Sequence, residues 1–177
     1  LKREELDSEL DTLLSAVDQD DAEEQMERLR QFLQSNKLRV AAADITEVIP
    51  LMVVSDYLTE IAEAIMVRVL DQVWSYLVAR HGHPVGSGNQ SMGFCVIAYG
   101  KMGGIELGYA SDLDLVFIHA NYDSNAMTDG ERQIANDLFF ARLGQRLIHM
   151  LTARTGSGLL YEVDMRLRPS GNSGMLV

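Results

Sequence analysis

Along the first part of the chain, apolar side chains recur at helical spacing and charged ones fill the intervals. Leu6, Leu10, Leu13, Leu14 and Val17 make one stripe; Met26, Leu29, Phe32 and Leu33 make a second. Between them Asp18-Gln19-Asp20-Asp21 breaks the pattern and offers an N-cap, so residues 1–36 predict two helices. A short helix is expected over residues 40–48, followed by Pro50 as a natural first-turn residue. From there Leu51, Val54, Leu58, Ile61, Ile65, Val69, Val73 and Leu77 mark one long amphipathic helix ending near Arg80, with Met66 and Trp74 as core residues.

The pattern then changes period. A Gly-rich connector with Pro84 spans residues 81–90. Gly93-Phe-Cys-Val-Ile-Ala-Tyr99 reads as a buried first strand, with Cys95 a small core residue. The glycine-rich turn Gly100-Lys-Met-Gly-Gly104 follows, and Leu113, Leu115, Val116, Phe117 and Ile118 predict a second strand. After a polar loop over residues 119–128, a helix is expected over 129–153, with Ala135, Phe139, Leu143, Leu147 and Leu151 in one row and Ile134, Leu138 and Ile148 beside it. Thr155-Gly-Ser-Gly158 stops it. Residues 159–168 alternate cleanly and predict a third strand: Tyr161, Val163, Met165 and Leu167 on one face, Glu162, Asp164, Arg166 and Arg168 on the other.

Bulk properties bound the class of protein. The 177 residues suffice for one good core, or one domain with a helical appendage, and 47% hydrophobic residues with near-zero mean hydropathy suit an ordinary globular chain. No apolar run is long enough to span a bilayer, and no signal peptide opens the chain. A net charge of −11 argues against gripping nucleic acid, and a single Cys fits a reducing, cytoplasmic setting. The chain opens on Leu1 and stops at Val177 in mid-pattern, as an excerpt of something longer would.

The chemistry concentrates in Ser111-Asp112-Leu113-Asp114-Leu115. Alternate residues of a strand share a face, so Asp112 and Asp114 project together with Cα atoms roughly 6–7 Å apart, within reach of one hard cation. Taken alone, Asp-x-Asp is also what a strand edge facing water looks like. The glycine turn upstream strengthens the cation reading, because glycines let backbone approach a ligand and Lys101 can meet phosphate oxygens. Its spacing is neither a Walker A loop nor a dinucleotide fingerprint. The polar face of the third strand adds Asp164, Arg166 and Arg168, a set suited to a metal-bound triphosphate. Ser111 is either a phosphate donor or a residue that starts the strand. His81 and His83 lack the further ligands a metal needs, and Glu23, Glu24, Glu27, Arg28 and Arg30 are most simply a solvated helix face.

These residues resemble a known family. A strand, a glycine turn, Asp-x-Asp on the next strand and an Asp on a later one resemble the DNA polymerase β-like nucleotidyltransferase superfamily. The wording Gly-Lys-Met-Gly-Gly-Ile-Glu-Leu-Gly-Tyr-Ala-Ser-Asp-Leu-Asp-Leu, with Tyr-Glu-Val-Asp-Met-Arg-Leu-Arg-Pro-Ser-Gly, is similar to the glutamine synthetase adenylyltransferase family over residues 93–177.

The resemblance implies an α+β fold, a small mixed sheet with flanking helices, divided as a helical segment over 1–85 and a nucleotidyltransferase core over 86–177. It implies an enzyme that transfers AMP from ATP to a glutamine synthetase tyrosine, with Asp112, Asp114 and Asp164 catalytic: they would hold two Mg²⁺ ions, and Asp164 would also help deprotonate the attacking tyrosine hydroxyl. Gly100, Lys101, Gly103, Gly104, Ser111, Arg166 and Arg168 would bind the nucleotide. Gly100-Lys101 and Gly103-Gly104 are both available as the pair that cradles phosphate.

The implied partners are glutamine synthetase and a PII signal protein, with no nucleic acid and no membrane. Such enzymes have two homologous halves, one attaching AMP and one removing it by phosphorolysis. Residues 123–132 and Ala-Ala-Ala-Asp-Ile over 41–45 look more like the attaching, C-terminal half. The alternatives are the removing half and a non-catalytic interaction module that kept the fold.

Overall fold

A computed structural model describes residues 2–18, 21–86, 93–120, 126–167 and 171. Arg168, residues 121–125 and most of the loop after Arg168 lie outside them. The chain begins with three helices, α1 (Arg3–Ser15), α2 (Ala22–Ile45) and α3 (Leu51–His81). Then come β1 (Phe94–Tyr99), a single helical turn α4 (Gly100–Gly103), β2 (Leu113–His119), α5 (Asn136–Thr152) and β3 (Val163–Asp164). The fold is mixed α and β, with a small sheet of order β1-β2-β3.

The helical layer follows the apolar pattern closely. Asp21 caps α2 by accepting the Glu24 N–H at 3.0 Å. Every member of the α3 stripe except exposed Leu51 is buried, each contributing roughly 1.5–3 kcal/mol of transfer free energy. The break expected after residue 36, and a separate helix over 40–48, do not occur: α2 runs through both. Asn36 is buried, and its amide donates to the Phe32 carbonyl one turn back at 3.1 Å. The polar side chain is thus satisfied inside the helix rather than ending it. The chain reverses only at Glu47, where φ is 55°.

The helices and the sheet share one hydrophobic core. Trp74 of α3 meets Phe139 of α5 edge to face, ring centroids 5.3 Å apart. Buried Arg30 of α2 donates to the Ala153 carbonyl at the end of α5, and Gln34 reaches the Ser157 carbonyl at 2.9 Å. The first bond satisfies a carbonyl that the helix end leaves open, and the second ties α2 to the turn that follows α5.

β1 pairs antiparallel with β2, Tyr99 opposite Asp114, and β2 pairs parallel with β3, Asp114 beside Asp164. Leu113, Leu115 and Phe117 turn inward; Cys95, Tyr99 and Ile118 are exposed on the other face. Cys95 is therefore not the core residue expected, because it lies on the outward side of an edge strand.

Two further elements are shorter than their patterns suggest. α5 begins at Asn136 instead of 129: buried Thr128 accepts the Ile134 N–H on its hydroxyl at 3.0 Å and bonds back to the Ile134 carbonyl at 2.9 Å. That exchange, with bridges from Pro84 to Thr128 and from Met127 to Ala135, takes up the backbone groups a helix would need. Leu138, expected beside the apolar row, is 43% exposed. The ten-residue third strand reduces to Val163–Asp164. The Tyr161 N–H goes to the Leu151 carbonyl of α5 rather than to a ladder. After the strand, the Arg166 N–H turns back onto Asp164 Oδ1 at 2.8 Å and leaves Leu167 exposed.

Candidate active site

Parallel register does the first work. It sets Asp114 and Asp164 side by side on the outward face of the sheet, and Asp112, just before β2, joins them. Carboxylate oxygens of Asp112, Asp114 and Asp164 lie within 4.8 Å of one another. Oxygens on opposite sides of one Mg²⁺ are about 4 Å apart, so less than about 1 Å of adjustment lets all three share a hard cation. All-oxygen, anionic and partly solvated, the donor set suits Mg²⁺.

The glycine turn is placed against this cluster. Gly100 has φ +56°, and a Cβ there would stand 2.1 Å from Asp114 Oδ2. Both the left-handed backbone and the close approach of Asp114 favour glycine here. Gly103 faces the Ala98 carbonyl, where a Cβ would come within 2.5 Å, and Gly104 closes the turn by donating to the Gly100 carbonyl. Of the two candidate pairs, Gly100-Lys101 is therefore the one against the carboxylates. Lys101 is exposed. The Ser111 hydroxyl oxygen accepts the Gly108 N–H at 2.9 Å and so organises the turn into β2.

Arg166 is the internal countercharge. Its Nε donates to Asp164 Oδ2 at 2.7 Å, a partner other than the neighbouring Glu162. The side-chain and backbone bonds from Arg166 hold the Asp164 carboxyl below its ordinary range. Asp164, with weaker contributions from Asp114 and Asp112, pushes the Arg166 guanidinium up. Arg168 lies outside the described residues.

Sequence reasoning missed Lys37. From α2 its ammonium donates to the Tyr109 carbonyl at 2.8 Å, three residues before Asp112, and sits 5.3 Å over the Tyr161 ring, three residues before Asp164. One side chain thus ties both segments that lead into the carboxylates. Burial pushes its pKa down. The Tyr109 hydroxyl adds a second tie to α2, donating to Asp44 Oδ2 at 3.1 Å. No periodicity marks either contact, because Lys37 falls outside the apolar stripe of α2 and Tyr109 lies in the turn before β2.

The chain is similar to known proteins along its whole length. The family model for glutamate-ammonia ligase adenylyltransferase matches residues 2–177. A bifunctional glutamine synthetase adenylyltransferase/adenylyl-removing enzyme of Thioalkalivibrio sulfidiphilus is 55% identical over 180 residues, covering 100% of this chain and 19% of that protein. Its namesake in Pseudomonas putida is 57% identical over 175 residues, 98% of this chain and 18% of the relative. The one in Shewanella frigidimarina is 56% identical over 170 residues, 96% and 18%. The chain thus spans about a fifth of the length of these relatives. On that match and these identities, the chain belongs to the glutamate-ammonia ligase adenylyltransferase family.

Proposed function

We propose that this chain carries the nucleotidyl-transfer site of an enzyme that moves AMP from ATP to a tyrosine hydroxyl of glutamine synthetase, in the cytoplasm and under the control of a PII signal protein. The observation that carries the proposal is the convergence of Asp112, Asp114 and Asp164 beside the left-handed turn at Gly100. The assignment to the attaching half rests on the resemblance of residues 123–132 and 41–45 to that half.

Asp112 and Asp114 would hold two Mg²⁺ ions, with Asp164 sharing one of them. When bound, Mg²⁺ supplies charge neutralisation at the phosphates and acidifies a coordinated phenol, whose free pKa is near 10. Gly100 and its neighbours let the triphosphate approach the backbone without steric obstruction, and Lys101 balances its charge. Arg166, already in the field of all three carboxylates, is placed to meet a phosphate oxygen as well. Asp164, acidified by Arg166, is better suited to ligating a cation than to taking a proton.

The test is transfer of label from α-³²P-ATP with Mg²⁺ to unmodified glutamine synthetase, beside orthophosphate-dependent release of AMP from modified synthetase. Label is expected on the synthetase, falling at least about a thousandfold in Asp114→Asn, since metal stabilisation is worth several kcal/mol. Near-normal transfer by that variant overturns the metal assignment. AMP release without transfer assigns the removing half instead.

A further inference from the structure

α3 and α5 pack side by side, and on their solvent side they form a cleft of about 370 Å³. Tyr76, Arg80, His81, Arg142, Arg146 and His149 line it, and among the described residues no carboxylate does. In a chain of net charge −11 this concentration of positive charge is an exception.

The guanidinium groups are oriented by Tyr76 and His81. Arg80 and Arg146 both stack on the Tyr76 ring, their Cζ atoms 4.3 and 3.7 Å from its centroid. Arg142 Nη1 lies 3.2 Å from His81 Nε2. Arginine can only donate, so Nε2 accepts, and the proton on Nδ1 goes to the Arg132 carbonyl at 2.8 Å. His81 thus links Arg142 to the Arg132 carbonyl and aims the guanidinium.

Outside the cleft Arg3, Arg28, Arg39, Arg68 and Arg166 each pair with a carboxylate, whereas Arg30, Arg132 and Arg154 have no ion pair among the described residues. Among the described residues, Arg80, Arg142 and Arg146 have no such pair. The carbonyl end of α3 accounts for a cation at Arg80. It does not account for Arg142 and Arg146, which sit in the middle of α5. Like charges gathered and pre-oriented without a counterion repel, and an anion with several oxygens removes that cost. The planar forks match phosphate oxygens in pairs, and the cleft has room for more than one phosphate group.

We propose that this cleft is a second, metal-independent binding site for a small multivalent phosphate, either a free polyphosphate or the phosphate end of a nucleotide. It is built from different elements than the carboxylate cluster, and it stands whether or not that cluster transfers AMP.

The test is calorimetric titration of the intact chain with pyrophosphate in EDTA, which keeps divalent cations from recruiting the anion to the carboxylates. Saturable one-site binding is expected. It should weaken about tenfold in Arg142→Gln and about a hundredfold in Arg142→Gln/Arg146→Gln, as loss of one charge-assisted interaction per substitution requires. Asp114→Asn should bind as the unsubstituted protein does. Melting curves check that each variant is folded, and Arg142→Lys/Arg146→Lys, which keeps the charge but loses the forks, should bind more weakly than the parent.

Parallel titrations with orthophosphate and ADP separate the sources: tighter ADP binding marks a nucleotide, and equal binding of ADP and pyrophosphate marks the free anion. Absence of saturable binding, or binding that survives the double glutamine substitution, overturns the proposal.

Discussion

Two regions of the molecule gather like charge, and they do it by opposite means. The acidic cluster is built from backbone: parallel register of β2 and β3 places Asp114 beside Asp164, and Gly100 crowds against Asp114. It also carries part of its own countercharge in Arg166. The basic cleft is built from side chains on two helix surfaces, aimed by an aromatic ring and an imidazole, with no opposite charge among its lining residues. A site set by register tolerates little displacement. One set by long side chains adapts to what it binds, and depends on ionic strength as well.

Substitutions can break or sharpen this contrast. After Asp114→Asn, the largest effect should come from Gly100→Ala. The left-handed backbone costs an alanine about 1–2 kcal/mol, and its methyl group must displace Asp114. We expect AMP transfer to fall about a hundredfold in the label assay while pyrophosphate binding at the α3–α5 cleft is unchanged. Loss of both would erase the distinction between the regions.

Lys37→Met tests whether α2 holds the two carboxylate-bearing segments in place. The turnover number should drop about tenfold with little change in the ATP KM, and Lys37→Arg should restore part of it. A merely structural lysine would lower the melting temperature and leave the turnover of the folded fraction intact.

Tyr161 sharpens the picture through pH. Its hydroxyl is buried without a partner among the described residues, and burial pushes its pKa above the ordinary 10.0. The folded state therefore favours the neutral phenol. Stability is retained below pH 10 and declines as the pH rises from there through the folded-state pKa. Tyr161→Phe should remove that alkaline loss in denaturant titrations and leave stability at pH 7 within about 1 kcal/mol of the parent, or slightly raised.

The smallest effect belongs to Arg166→Ala. Its side chain is 74% exposed, so the pair with Asp164 should leave the melting temperature unmoved. The ATP KM should nevertheless rise in the transfer assay, because the cluster loses its cation.

By itself the sequence determined the helical layer and the identity of the carboxylates. The stripes from Leu6 to Leu77 are periodic because burial on a helix is periodic, and that signal is local. Asp112, Asp114 and Asp164 stood out for the same reason, as polar residues at fixed parity within apolar strand patterns. Tertiary structure alone decided where those elements stop and what they meet. α2 passes through Asn36 because the amide finds the Phe32 carbonyl, and β3 shrinks because Tyr161 spends its N–H on α5. Lys37, Gly100 against Asp114, and the alignment of Arg142 by His81 join residues far apart in the chain. Contacts between distant segments leave no period in a one-dimensional pattern, so only the folded chain could reveal them.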